Sequence, residues 1–143
     1  MKEEQLEQIL RRIDLTSCRP VIDGYIYYKS LLVKSRFYRG DGTYGYSTDE
    51  NEFLIIASGS VKQGIIMRCG TFDLHWLVLK PWRNKSVLSN ALRTGVVHYV
   101  WPENQTITCR YSWRDKMVDR LSKYNKTKHL AEIAGLKLIQ SEE

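Results

Sequence analysis

Proline and cysteine are scarce in this chain, with three of each in 143 residues. The cysteines stand at positions 18, 69 and 109, an odd number without paired spacing, which supports neither a disulfide framework nor a zinc site. Cys69 and Cys109 fall in apolar, strand-like runs, where a small buried thiol is expected. No linker, internal repeat or low-complexity tract divides the sequence, so residues 1–143 read as one domain. No apolar run approaches the ~20 residues that cross a bilayer. Met1-Lys2-Glu3-Glu4 is charged and leads into an amphipathic stretch, unlike a secretory signal, and a reducing, cytoplasmic setting is the expectation.

What is present is apolar and basic. Hydrophobic residues make up 43% of the chain, enough to offset the ordering entropy that keeps polar chains disordered. A chain of this length buries roughly 70% of its unfolded surface without staples. The net charge of +6 is unevenly spread: residues 80–137 hold twelve basic and four acidic side chains, the remainder ten and twelve. A basic C-terminal half suits an anionic partner, either nucleic acid or a phosphate-bearing small molecule; a solvated basic face is the plain alternative.

Hydrophobic spacing sets the expected elements. Leu6, Ile9, Leu10 and Ile13 form one helix stripe. Residues 21–33 read as extended, residues 39–51 as a glycine-containing polar loop, and 53–57 with 61–68 as a hairpin around Ser58-Gly59-Ser60. Residues 72–79 alternate, with Phe72, Leu74, Trp76 and Val78 on one face and Asp73, His75, Leu77 and Leu79 on the other. From Ser86 the period becomes helical through Val87, Leu88, Ala91, Leu92, Gly95, Val96 and Tyr99, ending by Pro102. Residues 106–111 read as a strand, Asp115 as the N-cap of a helix through Tyr124 to Ala134, Gly135 as its stop, and 136–139 as a last strand. The fold class is α+β, a mixed, mostly antiparallel central sheet flanked by helices.

The segment from Val78 to Leu88 carries the chemistry. A strand delivers the chain to a basic turn with Lys80, Arg83 and Lys85, and a helix starts at once. The first N–H groups of a helix lack partners and carry its positive dipole end, so this is a candidate phosphate site.

At this junction the sequence resembles the GNAT superfamily of acyl-CoA-dependent N-acetyltransferases. Trp82-Arg83-Asn84-Lys85-Ser86-Val87-Leu88 falls in register with the family's acyl-CoA loop and its aromatic-Arg lead-in. Leu130-Ala131-Glu132-Ile133-Ala134-Gly135-Leu136-Lys137-Leu138 is similar to the family's last helix and following strand, and the likeness spans about residues 72–139. It implies a single GNAT-like domain that binds acetyl-CoA through Arg83, Asn84, Lys85, Ser86, Val87 and Leu88, with the backbone of Leu77 and Leu79 against the pantetheine arm. It also implies acetyl transfer to an amine, with Asp73 or His75 as base and Tyr124 as the acid for the thiolate. Ser86 and Leu88 occupy the loop's two glycine positions, and Ala131 that of the family's frequent acid tyrosine. Two other readings stay open. One is a catalytically inactive GNAT-like binding or structural module. The other is a nucleic-acid binder resting on Arg110, Tyr111, Trp113, Arg114 and Lys116.

Overall fold

The computed structural model describes residues 3–69, 73–111 and 116–142, with only the backbone described at 35, 69, 109–111, 141 and 142. The chain opens with helix α1 (Glu3–Arg12). Glu3 and Glu4 lie at its N-terminal end and Arg11 and Arg12 at its C-terminal end, each sign opposing the helix dipole there. Its apolar stripe is buried, and Lys62 caps its last turn, Nζ donating to the carbonyls of Leu10 (2.9 Å) and Arg11 (3.1 Å).

Seven strands follow, β1 (Arg19–Ile22), β2 (Ile26–Tyr38), β3 (Tyr44–Ser58), β4 (Val61–Cys69), β5 (Asp73–Val78), β6 (Thr106–Tyr111) and β7 (Lys137–Glu142). They form one open sheet in sequence order, antiparallel through β5 and parallel across β5–β6 and β6–β7. The parallel pairings need crossovers. α2 (Val87–Arg93) and α3 (Val96–Val100) make the first, α4 (Met117–Ala134) the second. The architecture is thus α+β, as the spacing predicts.

Two cores lie on opposite faces of the sheet. On one, Leu6, Leu10 and Ile13 of α1 meet Phe53, Ile55, Ile65, Met67, Leu77 and Leu79. On the other, α2, α3 and α4 bury Leu88, Leu92, Val97, Trp101 and Ala131 against Ile26, Leu54, Ile66, Leu74 and Ile107. Each fully buried aliphatic side chain contributes about 1.5–3 kcal/mol. β5 therefore alternates as expected, Leu74, Trp76 and Val78 towards α2–α4 and Leu77 and Leu79 towards α1. Among the described residues no helix is long and apolar enough to cross a membrane.

Several expectations need correction. The stretch from Ser86 is two helices, because Gly95 turns left-handed at φ 75° and breaks the run before Val96. Gly135 does stop α4, at φ 67°, while Asp115, Trp113 and Phe72 lie outside the described residues, as do the side chains of Cys69 and Cys109.

The largest correction concerns residues 39–51. Only 39–43 are a turn; from Tyr44 the chain is strand. β2 and β3 stay paired from Ile26↔Ile56 out to Tyr38↔Tyr44, while β1 reaches only Tyr28 of β2 and β4 only Glu52 of β3. Residues 31–38 and 44–51 thus pair with each other alone, a two-stranded ribbon ~25 Å long projecting from the sheet. Its polar composition, which reads as loop, follows from having solvent on most of its surface. At the tip Gly40 and Gly42 take φ of 89° and 88°, and Asp41 Oδ1 accepts from the N–H of Thr43 at 2.9 Å.

Candidate active site

Among the described residues β5 and β6 pair at Asp73↔Thr106 and Leu74↔Ile107. Beyond Leu74 they part, so the C-terminal half of β5 has a free edge facing β6. The direction of that edge follows from alternation. Leu79 donates its N–H to Gln63 O at 2.8 Å and its carbonyl accepts from Trp82 N at 2.8 Å, so its backbone is spent. Leu77 shares that direction, towards β4. Trp76 and Val78 are the residues whose backbone groups face the opening, with the Val78 carbonyl taken by Arg83 Nε at 3.0 Å, one register step from the pair that the resemblance implies.

At the base of this opening, on the α1 face, lies a polar cluster. Asp73 Oδ1 accepts from the hydroxyls of Thr106 (3.0 Å) and Thr108 (3.1 Å), and Oδ2 lies 3.3 Å from Nε2 of His75. Side-chain exposures of 26% for Asp73 and 21% for His75 keep both reachable by a ligand yet largely shielded from water. Both lie beyond the part of β5 that α1 covers through Leu77 and Leu79. The alternation of 72–79 foretold that Asp73 and His75 share a face; the two threonines across the strand pair were missed. Their signal is faint, alternate threonines flanking Ile107 on the next strand.

At the other end of β5 the chain enters the basic turn. Pro81 helps shape a 3-10 turn over Lys80–Trp82, and Trp82 packs on the α1-side core with Lys85 Nζ 5.4 Å above its ring. Arg83 folds back, Nε donating to Val78 O at 3.0 Å. Asn84 (φ 61°) and Ser86 (φ 59°) are the only non-glycine residues with positive φ among those described. Such backbone costs about 1–2 kcal/mol for a residue with a Cβ, and asparagine tolerates it best. Ser86 thus takes a left-handed conformation that glycine adopts without strain. Its side chain makes no cap bond to α2. Among the described residues no carboxylate pairs with Lys80, Arg83 or Lys85.

Leu88 points away from the turn into the core, buried with Ala91 and Leu92, and so leaves the turn open. Val87 packs against the same core. α2 is seven residues long, which limits its dipole, and the basic side chains outweigh it here. Tyr124 is half-buried on α4, which lies against the opposite face of the sheet from Asp73 and His75; the structure does not bring it into their cluster. Arg110, Tyr111, Trp113 and Arg114 lie outside the described side chains. A cavity of about 520 Å³ between α1 and β2, floored by Ile9, Ile13, Leu31 and Val33, has no lining residue from β5 or β6.

No family model, no curated protein and no solved structure matches this chain.

Proposed function

We propose that the chain is an acyl-CoA-dependent N-acetyltransferase of GNAT-like fold, moving an acetyl group to an amine. The observation that carries this reading is the parting of parallel β5 and β6 past Leu74 and Ile107. An amide-bearing arm adds to a free strand edge as a strand does, and Trp76 and the N–H of Val78 present that edge. Acetyl-CoA, when bound, supplies the activated acyl group. Lys80, Arg83 and Lys85 hold its phosphates at the mouth. From Leu79 to His75 is four strand residues, ~13 Å, so the base of the opening is where the reacting carbonyl belongs.

There His75 takes the proton from the acceptor's ammonium group, freeing the nitrogen lone pair for attack. Asp73, fixed by Thr106 and Thr108, orients the imidazole. The acceptor enters over the α1 face, beyond the end of α1. One observation favours the inactive alternative. Tyr124 lies across the sheet from His75, so protonation of the leaving thiolate falls to solvent, whereas a module that only binds acyl-CoA needs no acid.

Thermal unfolding with and without acetyl-CoA tests the reading at low and at physiological salt. Ligand at 100 times its Kd stabilises by about 2.7 kcal/mol, several degrees for this size. The expected result is a shift that persists at physiological salt and is reduced in Arg83→Ala. No shift, or an equal one with unrelated polyanions, overturns it. Acyl-CoA-dependent stabilisation without thiol release over a panel of amines selects the inactive module.

A further inference from the structure

The ribbon of β2 and β3 carries a surface unrelated to the β5–β6 opening. Alternation places Leu32, Lys34, Arg36 and Tyr38 on one face, opposite Tyr44 and Tyr46 in the pairing Arg36↔Tyr46 and Tyr38↔Tyr44. It continues the side of the sheet that bears α2–α4, but nothing covers it among the described residues. Leu32 is 73% exposed, Tyr38 59% and Tyr46 60%. Two cations lie on these rings, Lys34 Nζ 4.4 Å from the Tyr46 centroid and the Arg36 guanidinium 4.0 Å from that of Tyr44. Tyr38 and Tyr44 touch, their centroids 5.4 Å apart.

Acid is kept away from this outer part. Glu50 sits inward, opposite Leu32, holding the Ser30 hydroxyl at 2.7 Å, and Glu52 pairs with Arg68. Asp49 is on the other face, and Asp41 at the tip is occupied by Thr43. Among the described residues Lys34 and Arg36 have no carboxylate partner.

We propose that this face of the ribbon binds single-stranded nucleic acid. Unpaired bases have the flat π-faces that stack on tyrosine, and the interleaved cations meet the phosphates between them. A duplex hides its base faces and offers only the charge. A second copy across a twofold axis brings two faces of the same positive sign together, which charge opposes. A two-stranded ribbon is only marginally stable in water, so its length and solvated aromatic face are consistent with service as a contact surface.

The test is anisotropy titration of the whole chain with a labelled thymidine strand of about a dozen nucleotides, the matching duplex, and heparin. The expected result is tighter binding of the single strand than of either competitor, weakening with salt. Tyr46→Leu and Tyr44→Leu keep a strand-compatible side chain but lose the ring, and each is expected to cost about tenfold. Tyr46→Phe keeps the ring and binds as the parent does. Lys34→Ala lowers the salt dependence. Hydrogen exchange over 31–51 checks that each ribbon stays formed. No binding of the strand overturns the proposal. So does binding matched by heparin and indifferent to the leucine variants, or a concentration-dependent dimer that these variants abolish. Acetyl-CoA stabilisation, read separately, is indifferent to all four substitutions.

Discussion

The Thr108 hydroxyl reaches across from β6 and donates to Asp73 Oδ1 at 3.1 Å, which leaves Oδ2 to face His75. If His75 is the base, His75→Ala lowers kcat by about 10²–10⁴ while acetyl-CoA stabilisation is retained. Thr108→Val leaves the base in place but loosens its orienter, so a several-fold loss in kcat is expected. Steady-state kinetics across pH checks both, and an unchanged rate in His75→Ala removes it from the chemistry.

Leu88, which the resemblance sets at a glycine position of the acyl-CoA loop, is core. Leu88→Ala is expected to cost about 2–5 kcal/mol, lowering Tm on the order of ten degrees, with acetyl-CoA affinity unchanged. Circular dichroism melts decide this. A stable variant with altered affinity would place the side chain on the ligand instead.

Gly45 lies across from Phe37 in the ribbon, beneath its ring. A β-carbon there would stand 2.5 Å from Phe37 Cζ and 2.8 Å from Arg39 Nη2. Gly45→Ala is expected to raise hydrogen exchange over 31–38 and 44–51 without touching the amides of β4 and β5. Adding Phe37→Ala clears the ring and recovers part of the protection, a coupling that a double-mutant cycle reads directly.

Tyr28 gives the pH dependence. Burial, then the hydrogen bond its hydroxyl donates to Glu52 Oε1 at 2.6 Å, pushes its ionisation up from 10 to about 12. The neutral phenol is the form favoured by folding. Its contribution is therefore complete below pH 10 and lost as the pH rises through about 12. Denaturant melts between those values are expected to show a steeper decline in the parent than in Tyr28→Phe. Parallel declines would remove this residue as the cause.

The legible parts of the chain were those where one local rule decides. The alternation of 72–79 has two buried faces to satisfy, the hairpin at Ser58-Gly59-Ser60 is tight, and Gly135 sits after a periodic run. Gly95 reads as part of a helix because the apolar spacing continues through it, and only its left-handed φ reveals the break. The outer ribbon, beyond Val33, reads as loop because a strand with solvent on most of its surface has little buried face to impose a period. At the candidate site, the residue types on β5 were readable, but which backbone groups face the opening depends on pairing with β4. The hydrogen bonds of Thr106 and Thr108 depend on a register with β6 set by a crossover of some thirty residues.

Because each strand lies beside its predecessor in sequence, the sheet is laid down in the order of synthesis. A growing chain never has to open a formed ladder to admit a late strand. Its exposed growing edge is always the newest strand, and from the completion of β6 until α4 has been made and β7 arrives, that edge is β6 itself. A released chain truncated just before β7 would therefore present the candidate site's own strand as its most association-prone surface.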